Sequence, residues 1–166
     1  MNFLYSKISN HSFFILSFVF GAAVLFAACA KTEGVKPVNT AADNTAIRGF
    51  DTVAFFTEEK LAKGKSEFSY DWNDARWEFS SAENLEKFKQ SPEKYAPQFG
   101  GYCSYAVSHG YTADGDPATW KIVDGKLYLN YNPKAKELWE REQEKFIKDG
   151  EKNWKEFLVT KPKHEG

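Results

Sequence analysis

Between Phe50 and Phe157 the chain carries twenty-one Phe, Tyr and Trp residues and a single cysteine, Cys103. That pairing limits the ways the chain can fold. Small exported domains commonly rely on paired cysteines as staples, and Cys103 has no partner inside this stretch. The fold must then be held by its apolar core. Aromatic rings bury large areas per residue, so a domain of about 110 residues can reach adequate stability without a disulfide.

The beginning of the chain explains why export is expected. Residues 1–12 carry one charge, Lys7, and residues 13–28 are apolar apart from Ser17 and Gly21. A weakly basic start, an apolar run and small residues at its end make residues 1–28 a secretory signal peptide. The run is marginal for a permanent span, which needs roughly 20 apolar residues. It ends in Leu25-Phe26-Ala27-Ala28 before Cys29, a pattern that resembles the bacterial lipobox, with Phe26 where leucine is usual. On that pattern Cys29 is lipidated and becomes the mature N-terminus. Ordinary cleavage after Ala28-Cys29-Ala30 is the alternative and would discard the thiol. The expected address is the extracytoplasmic side of a membrane: the periplasm, the outer membrane or the cell surface. The formal net charge is −1 and no stretch is strongly basic, so nucleic acid is not expected as a partner.

Residues 29–46, polar and without apolar periodicity, read as a lipidated cysteine and flexible tether, residues 47–158 as the folded domain, and residues 159–166 as a disordered tail. Asp51 is placed to cap a turn over residues 52–56. Phe68, Tyr70 and Trp72 alternate as in a half-buried strand, Asn73-Asp74 turns, and Trp77 and Phe79 return. Ser80 and Glu83 have capping-box spacing, opening a helix with Ala82, Leu85 and Phe88 inward and Pro92 at its end. Gly100-Gly101 precedes an expected helix over residues 102–109, closed by Gly110. Residues 120–123 and 126–129 flank Asp124-Gly125, the strongest hairpin signal here. Asn132-Pro133 opens a helix with Ala135, Leu138, Trp139 and Phe146 on one stripe, expected to stop at Gly150 before a last short helix with Trp154 and Phe157. The order predicts an α+β domain, a small antiparallel sheet built from β-hairpins with helices packed against it.

Three blocks carry a family resemblance. They are Gly49-Phe50-Asp51-Thr52-Val53-Ala54-Phe55-Phe56, the pair Phe79 and Phe88, and Pro92-Glu93-Lys94-Tyr95. Together they resemble the YHS domain, a small module of heavy-metal-handling proteins. The continuation through Gly100-Gly101-Tyr102-Cys103 to Asn130-Tyr131 resembles an exported bacterial branch of that family, which has no settled activity. The resemblance implies that the metal-associated cysteines of the metal-handling branch fall at Ala54, Ser80 and Asn84, none of which supplies a thiolate. Copper(I) and zinc sites usually need two to four Cys or His ligands, so the resemblance is one of scaffold.

Cys103 is the sharpest candidate for chemistry. A helix N-terminus lowers a thiol pKa and prepares it as nucleophile or ligand, whereas a buried cysteine is an inert apolar filler. His109, the sole domain histidine, falls 600° further along the helical path, or 240° round it, so the two point apart if the helix persists. Tyr102, Tyr105 and His109 share a face instead. Asp114-Gly115-Asp116-Pro117 lacks the distal ligands of a calcium loop and reads as a turn. Two functions stay open. One is a lipid-anchored, non-catalytic binding or accessory module of the cell envelope, taking a partner protein, a small ligand or a weakly held metal near Cys103, with Tyr102, Tyr105 and His109 alongside. The other is a thiol enzyme or redox protein with Cys103 as nucleophile and His109 as base. No cofactor is firmly implied.

Overall fold

The computed structural model describes residues 35–159; residues 1–34, where the signal peptide and lipidated Cys29 are expected, and residues 160–166 lie outside the described residues. The fold is α+β. Its elements are helix α1 (Thr52–Thr57), strands β1 (Lys65–Trp72) and β2 (Ala75–Phe79), helices α2 (Ala82–Gln90), α3 (Pro92–Tyr95) and α4 (Ser104–Ser108), strands β3 (Asp116–Val123) and β4 (Lys126–Asn130), and helices α5 (Pro133–Arg141) and α6 (Gln143–Phe157). Two antiparallel hairpins, β1–β2 and β3–β4, form separate two-stranded sheets. Asn73 and Asp74 both have positive φ, as do Asp124 and Gly125. These are the tight primed turns whose twist matches that of the strands. Tyr70 pairs with Trp77 in the first hairpin and Lys121 with Tyr128 in the second.

The aromatic residues form two clusters. In the first, Trp77, Phe79 and Phe88 pack with Val53, Phe55 and Leu127. The Phe88 ring lies 4.9 Å from Trp77 and 4.9 Å from Phe79, centroid to centroid, within the range of favourable ring pairs. In the second, Tyr128, Trp139, Phe146 and Phe157 surround Phe99 and Val107.

Several local expectations shift. The cap of α2 is Ser81, whose Oγ accepts from the Asn84 N–H at 3.2 Å, so the Ser80–Glu83 capping box does not form. Ser80 is instead drawn to Asp51. The inner face of α2 turns with it: Asn84 and Phe88 are buried, while Ala82 is exposed. The helix after Gly101 is shorter than expected, with Cys103 at its cap and His109 beyond its last turn. The long helix from Pro133 breaks at Glu142, where φ is −132° and ψ 45°. No proline or glycine sits there. The break lets Trp139 meet Tyr128 from α5 while Phe146 meets Tyr105 from α6. Gly150 does not end a helix. It lies inside α6, and a Cβ there would come within 2.7 Å of the Phe99 ring. Trp154 and Phe157 therefore belong to α6, not to a further helix.

The folded unit also starts earlier than residue 47. Val38 is 3% exposed, the Asn39 N–H donates to the Gly100 carbonyl at 2.8 Å, and the Ala46 N–H donates to Arg76 O at 2.8 Å. Residues 35–46, expected as tether, are packed on the domain because Val35 and Val38 supply apolar anchors that a composition-based reading passes over. Gly100 has φ +60°, and a Cβ on it would fall 2.2 Å from the Pro37 carbonyl. Only glycine lets these two stretches approach so closely.

Candidate functional site

Cys103 sits where the Gly100-Gly101 turn delivers the chain into α4; it forms an isolated bridge with Leu129, and Tyr102 before it forms one with Asp114. Its side chain faces inward and is 1% exposed. The thiol donates to Asn130 Oδ1 at 3.8 Å and accepts from the Ala106 N–H at 3.5 Å. The backbone N–H groups of Ala106, Tyr131 and Tyr105 favour a thiolate, but burial outweighs them and pushes the thiol up. The activation expected from a helix N-terminus is overridden by desolvation. Asn130 is wholly buried and its Oδ1 also accepts from the Tyr105 N–H at 3.1 Å, so it ties β4 to the start of α4.

His109 is exposed and does not approach the sulfur through any hydrogen bond or ring contact. Its Nδ1 lies 2.8 Å from the Tyr105 carbonyl and 3.0 Å from Ser108 Oγ. A carbonyl only accepts, so the tautomer with hydrogen on Nδ1 fits. The imidazole stacks on Tyr105, with centroids 4.2 Å apart, and on Phe146 at 5.2 Å. Tyr102 belongs to neither group. It packs on Trp154 at 5.7 Å, and burial followed by the Asp114 carboxylate pushes its phenol up. The four candidates therefore divide: Tyr105 and His109 stack together, while Cys103 and Tyr102 face other neighbours.

Beside Cys103 there is a concavity of about 490 Å³, with Tyr105, Tyr111, Tyr131 and Leu138 in its walls and Ala106 beside the sulfur. Tyr131 is 56% exposed, a large ring left at the rim. The cavity has the size and the mixed apolar and phenolic lining of a small-molecule seat.

The three positions where the family resemblance puts cysteines do meet, but on a carboxylate. Asp51 is fully buried. Its Oδ1 accepts from the N–H groups of Val53 at 2.9 Å and Ala54 at 3.2 Å. Its Oδ2 accepts from the Ser80 N–H at 2.8 Å, Ser80 Oγ at 2.6 Å and Asn84 Nδ2 at 2.8 Å. Asn84 also donates to Glu58 Oε1 at 3.1 Å. Lys60 first, and then Asn84, hold the Glu58 carboxyl below its ordinary value. Ala54, Ser80 and Asn84 thus act as donors locking α1 to the β2–α2 corner. Sequence reasoning placed Asp51 as a cap and missed this hub. The available signal was Asn84 one helical turn before Phe88, a polar residue on the buried face of α2. Among the described residues, no group of three or more His, Cys, Asp and Glu side chains is arranged to hold a metal ion.

The fold and these sites define a small α+β domain with a sealed thiol, a buried carboxylate hub and an open tyrosine-lined hollow. No family model, curated protein or solved structure matches the chain.

Proposed function

We propose that the chain is a lipid-anchored accessory module of the bacterial cell envelope, a YHS-like domain that binds a partner or small ligand and does not transform it. The observation that carries this reading is the burial of Cys103. Its sulfur is covered, burial raises its pKa, and the only domain histidine stacks elsewhere. A nucleophile needs the reverse of each. The tyrosine-lined hollow beside Cys103 is the seat for the small ligand, and Cys29 is the anchor on the extracytoplasmic side. Any metal affinity would fall to Cys103 and His109, and two ligands that do not converge make it weak.

Alkylation tests the absence of thiol chemistry. Iodoacetamide near neutral pH is expected to modify Cys103 only after denaturation; rapid modification of the native protein would favour the thiol-enzyme reading instead. Fractionation tests the anchor. Cys29→Ser is expected to be released from the membrane fraction or to stall in processing, since stable anchoring needs more than one acyl chain. Unchanged processing and retention of that variant would remove the anchor from the proposal.

A further inference from the structure

Four stretches remote in sequence enclose a second cleft of about 530 Å³ that shares no lining residue with the hollow beside Cys103. Residues 37–38, the β1–β2 turn, the connection from α3 to Gly100 and the C-terminal half of α6 supply its walls. Two indoles, Trp72 and Trp154, lie half-buried in it. Both are braced from behind. Trp72 rests on Trp77 at 5.7 Å and Phe88 at 5.8 Å, and Trp154 on Tyr102 at 5.7 Å and Phe99 at 6.3 Å. A ligand stacking on either ring would not have to order it first, which removes part of the entropic penalty of binding.

The same lining includes Asn73, Gln98, Glu93 and Lys155, none with a side-chain hydrogen bond or ion pair to another described residue. The remaining charge of the rim, Glu151, is held by Lys126 at 3.3 Å. The uncommitted groups are thus one anion, one cation and two amides that each donate and accept. A charged ligand would find its own sign as well as its opposite. A wholly apolar ligand would strand four polar groups against its surface, and each such loss of hydration is unfavourable. A molecule with C–H faces and a perimeter of hydroxyls, each both donor and acceptor, suits every part of this lining.

We propose that this cleft binds an uncharged carbohydrate of about disaccharide size, stacked on Trp72 or Trp154 and bonded at its edges by Asn73, Gln98 and Glu93. The volume lies within the roughly 300–1,000 Å³ usual for small-molecule sites.

The test is titration of the full-length protein, in a zwitterionic detergent free of sugar, followed by tryptophan fluorescence and calorimetry. The probes are maltose, cellobiose and N,N′-diacetylchitobiose, with tetramethylammonium and galacturonate as charged comparators. At least one neutral disaccharide is expected to give a saturable change in emission. Gln98→Ala and Glu93→Ala, which remove rim groups and no core packing, are each expected to weaken it about tenfold, the loss of one good hydrogen bond. Trp72→Ala and Trp154→Ala are compared, each with its fold checked by circular dichroism, and at least one of them is expected to abolish it. The proposal is overturned if no neutral disaccharide binds, if either charged probe binds in preference, or if the Gln98→Ala, Glu93→Ala double variant binds as wild type does.

Discussion

Asp51 has no contact with solvent, and its carboxylate accepts five hydrogen bonds, from α1, from Ser80 in the β2–α2 connection and from α2. Charge-assisted bonds of this kind are about twice as strong as neutral ones, and leaving their donors unpaired costs about 1–3 kcal/mol per group. Asp51→Asn keeps the shape but replaces one oxygen with an NH₂. Whichever way the amide turns, that NH₂ meets donors, either the Val53 and Ala54 N–H groups or those of Ser80 and Asn84. Asp51→Asn should therefore lower unfolding stability by on the order of 3 kcal/mol, nearly as much as Asp51→Ala. Urea midpoints of the two variants check this, and an Asp51→Asn midpoint close to wild type would show that the hub tolerates a donor. Two buried acids set the response to alkali. Cys103 is pushed up by burial, and Tyr128 is pushed up to about 12, by burial first and then by the Glu151 and Asp124 carboxylates. Each folded-state pKa lies above its unfolded value, so the native state holds the proton more tightly. The stabilisation is complete below the unfolded values, about 8.5 for Cys and about 10 for Tyr, and is lost as pH rises through the folded ones. The urea midpoint should fall steadily from pH 8.5 towards pH 11, and Cys103→Ala should flatten the first part of that fall. A flat or rising midpoint would contradict the burial argument.

At the scale of elements, Gly150 sets two effects against each other. By propensity alone, Gly150→Ala inside α6 should gain about 0.8–1.0 kcal/mol. The added methyl would however sit 2.7 Å from one Phe99 ring carbon and 3.0 Å from a second, and Phe99 is wedged between Tyr128 and Trp154. Overpacking of this kind costs about 1–3 kcal/mol, so the substitution should be net destabilising. Thermal midpoints of wild type and Gly150→Ala decide it, and a raised midpoint would mean that Phe99 has room to retreat. The same glycine shows where the sequence was legible. Both hairpins could be read, because Asn73-Asp74 and Asp124-Gly125 carry their turn chemistry locally and the flanking rings alternate. The caps at Asp51 and Asn132 could be read too, but other helix ends could not. Gly150 looks like a stop until the ring that occupies its missing side chain is known, and Glu142 looks like helix interior until Trp139 and Phe146 are seen to serve different neighbours. The site divides similarly. That Cys103 lies at the start of a helix was visible in the glycines before it. That its thiol is sealed depends on Asn130 and β4, which no local pattern connects to it.

For the whole molecule, the decisive segment is the one whose composition promised least. The Val35 N–H donates to Phe157 O at 2.9 Å, Asn39 bonds Gly100, and residues 44–46 exchange bonds with Arg76 of β2. Val35 packs on the second aromatic cluster and Val38 lies within the first. This irregular lead, with isolated bridges at Thr40, Thr45 and Ala46, ties the end of α6, the turn before α4 and the first hairpin together. On the proposal that Cys29 carries the lipid, only the steps from residue 29 to 35 separate the anchor from the folded unit. The packing itself can be tested without the anchor. A fragment beginning at residue 47 loses the burial of Val38, which alone is worth about 1.5–3 kcal/mol, together with the backbone bonds to Gly100, Phe157 and Arg76. It should unfold at a midpoint lower by several degrees than a fragment beginning at residue 31, since about 1 kcal/mol shifts a domain of this size by roughly 4 °C. Both should unfold identically with and without reductant, because Cys103 is a free thiol. Equal midpoints for the two fragments would mean that residues 35–46 rest on the domain without stabilising it.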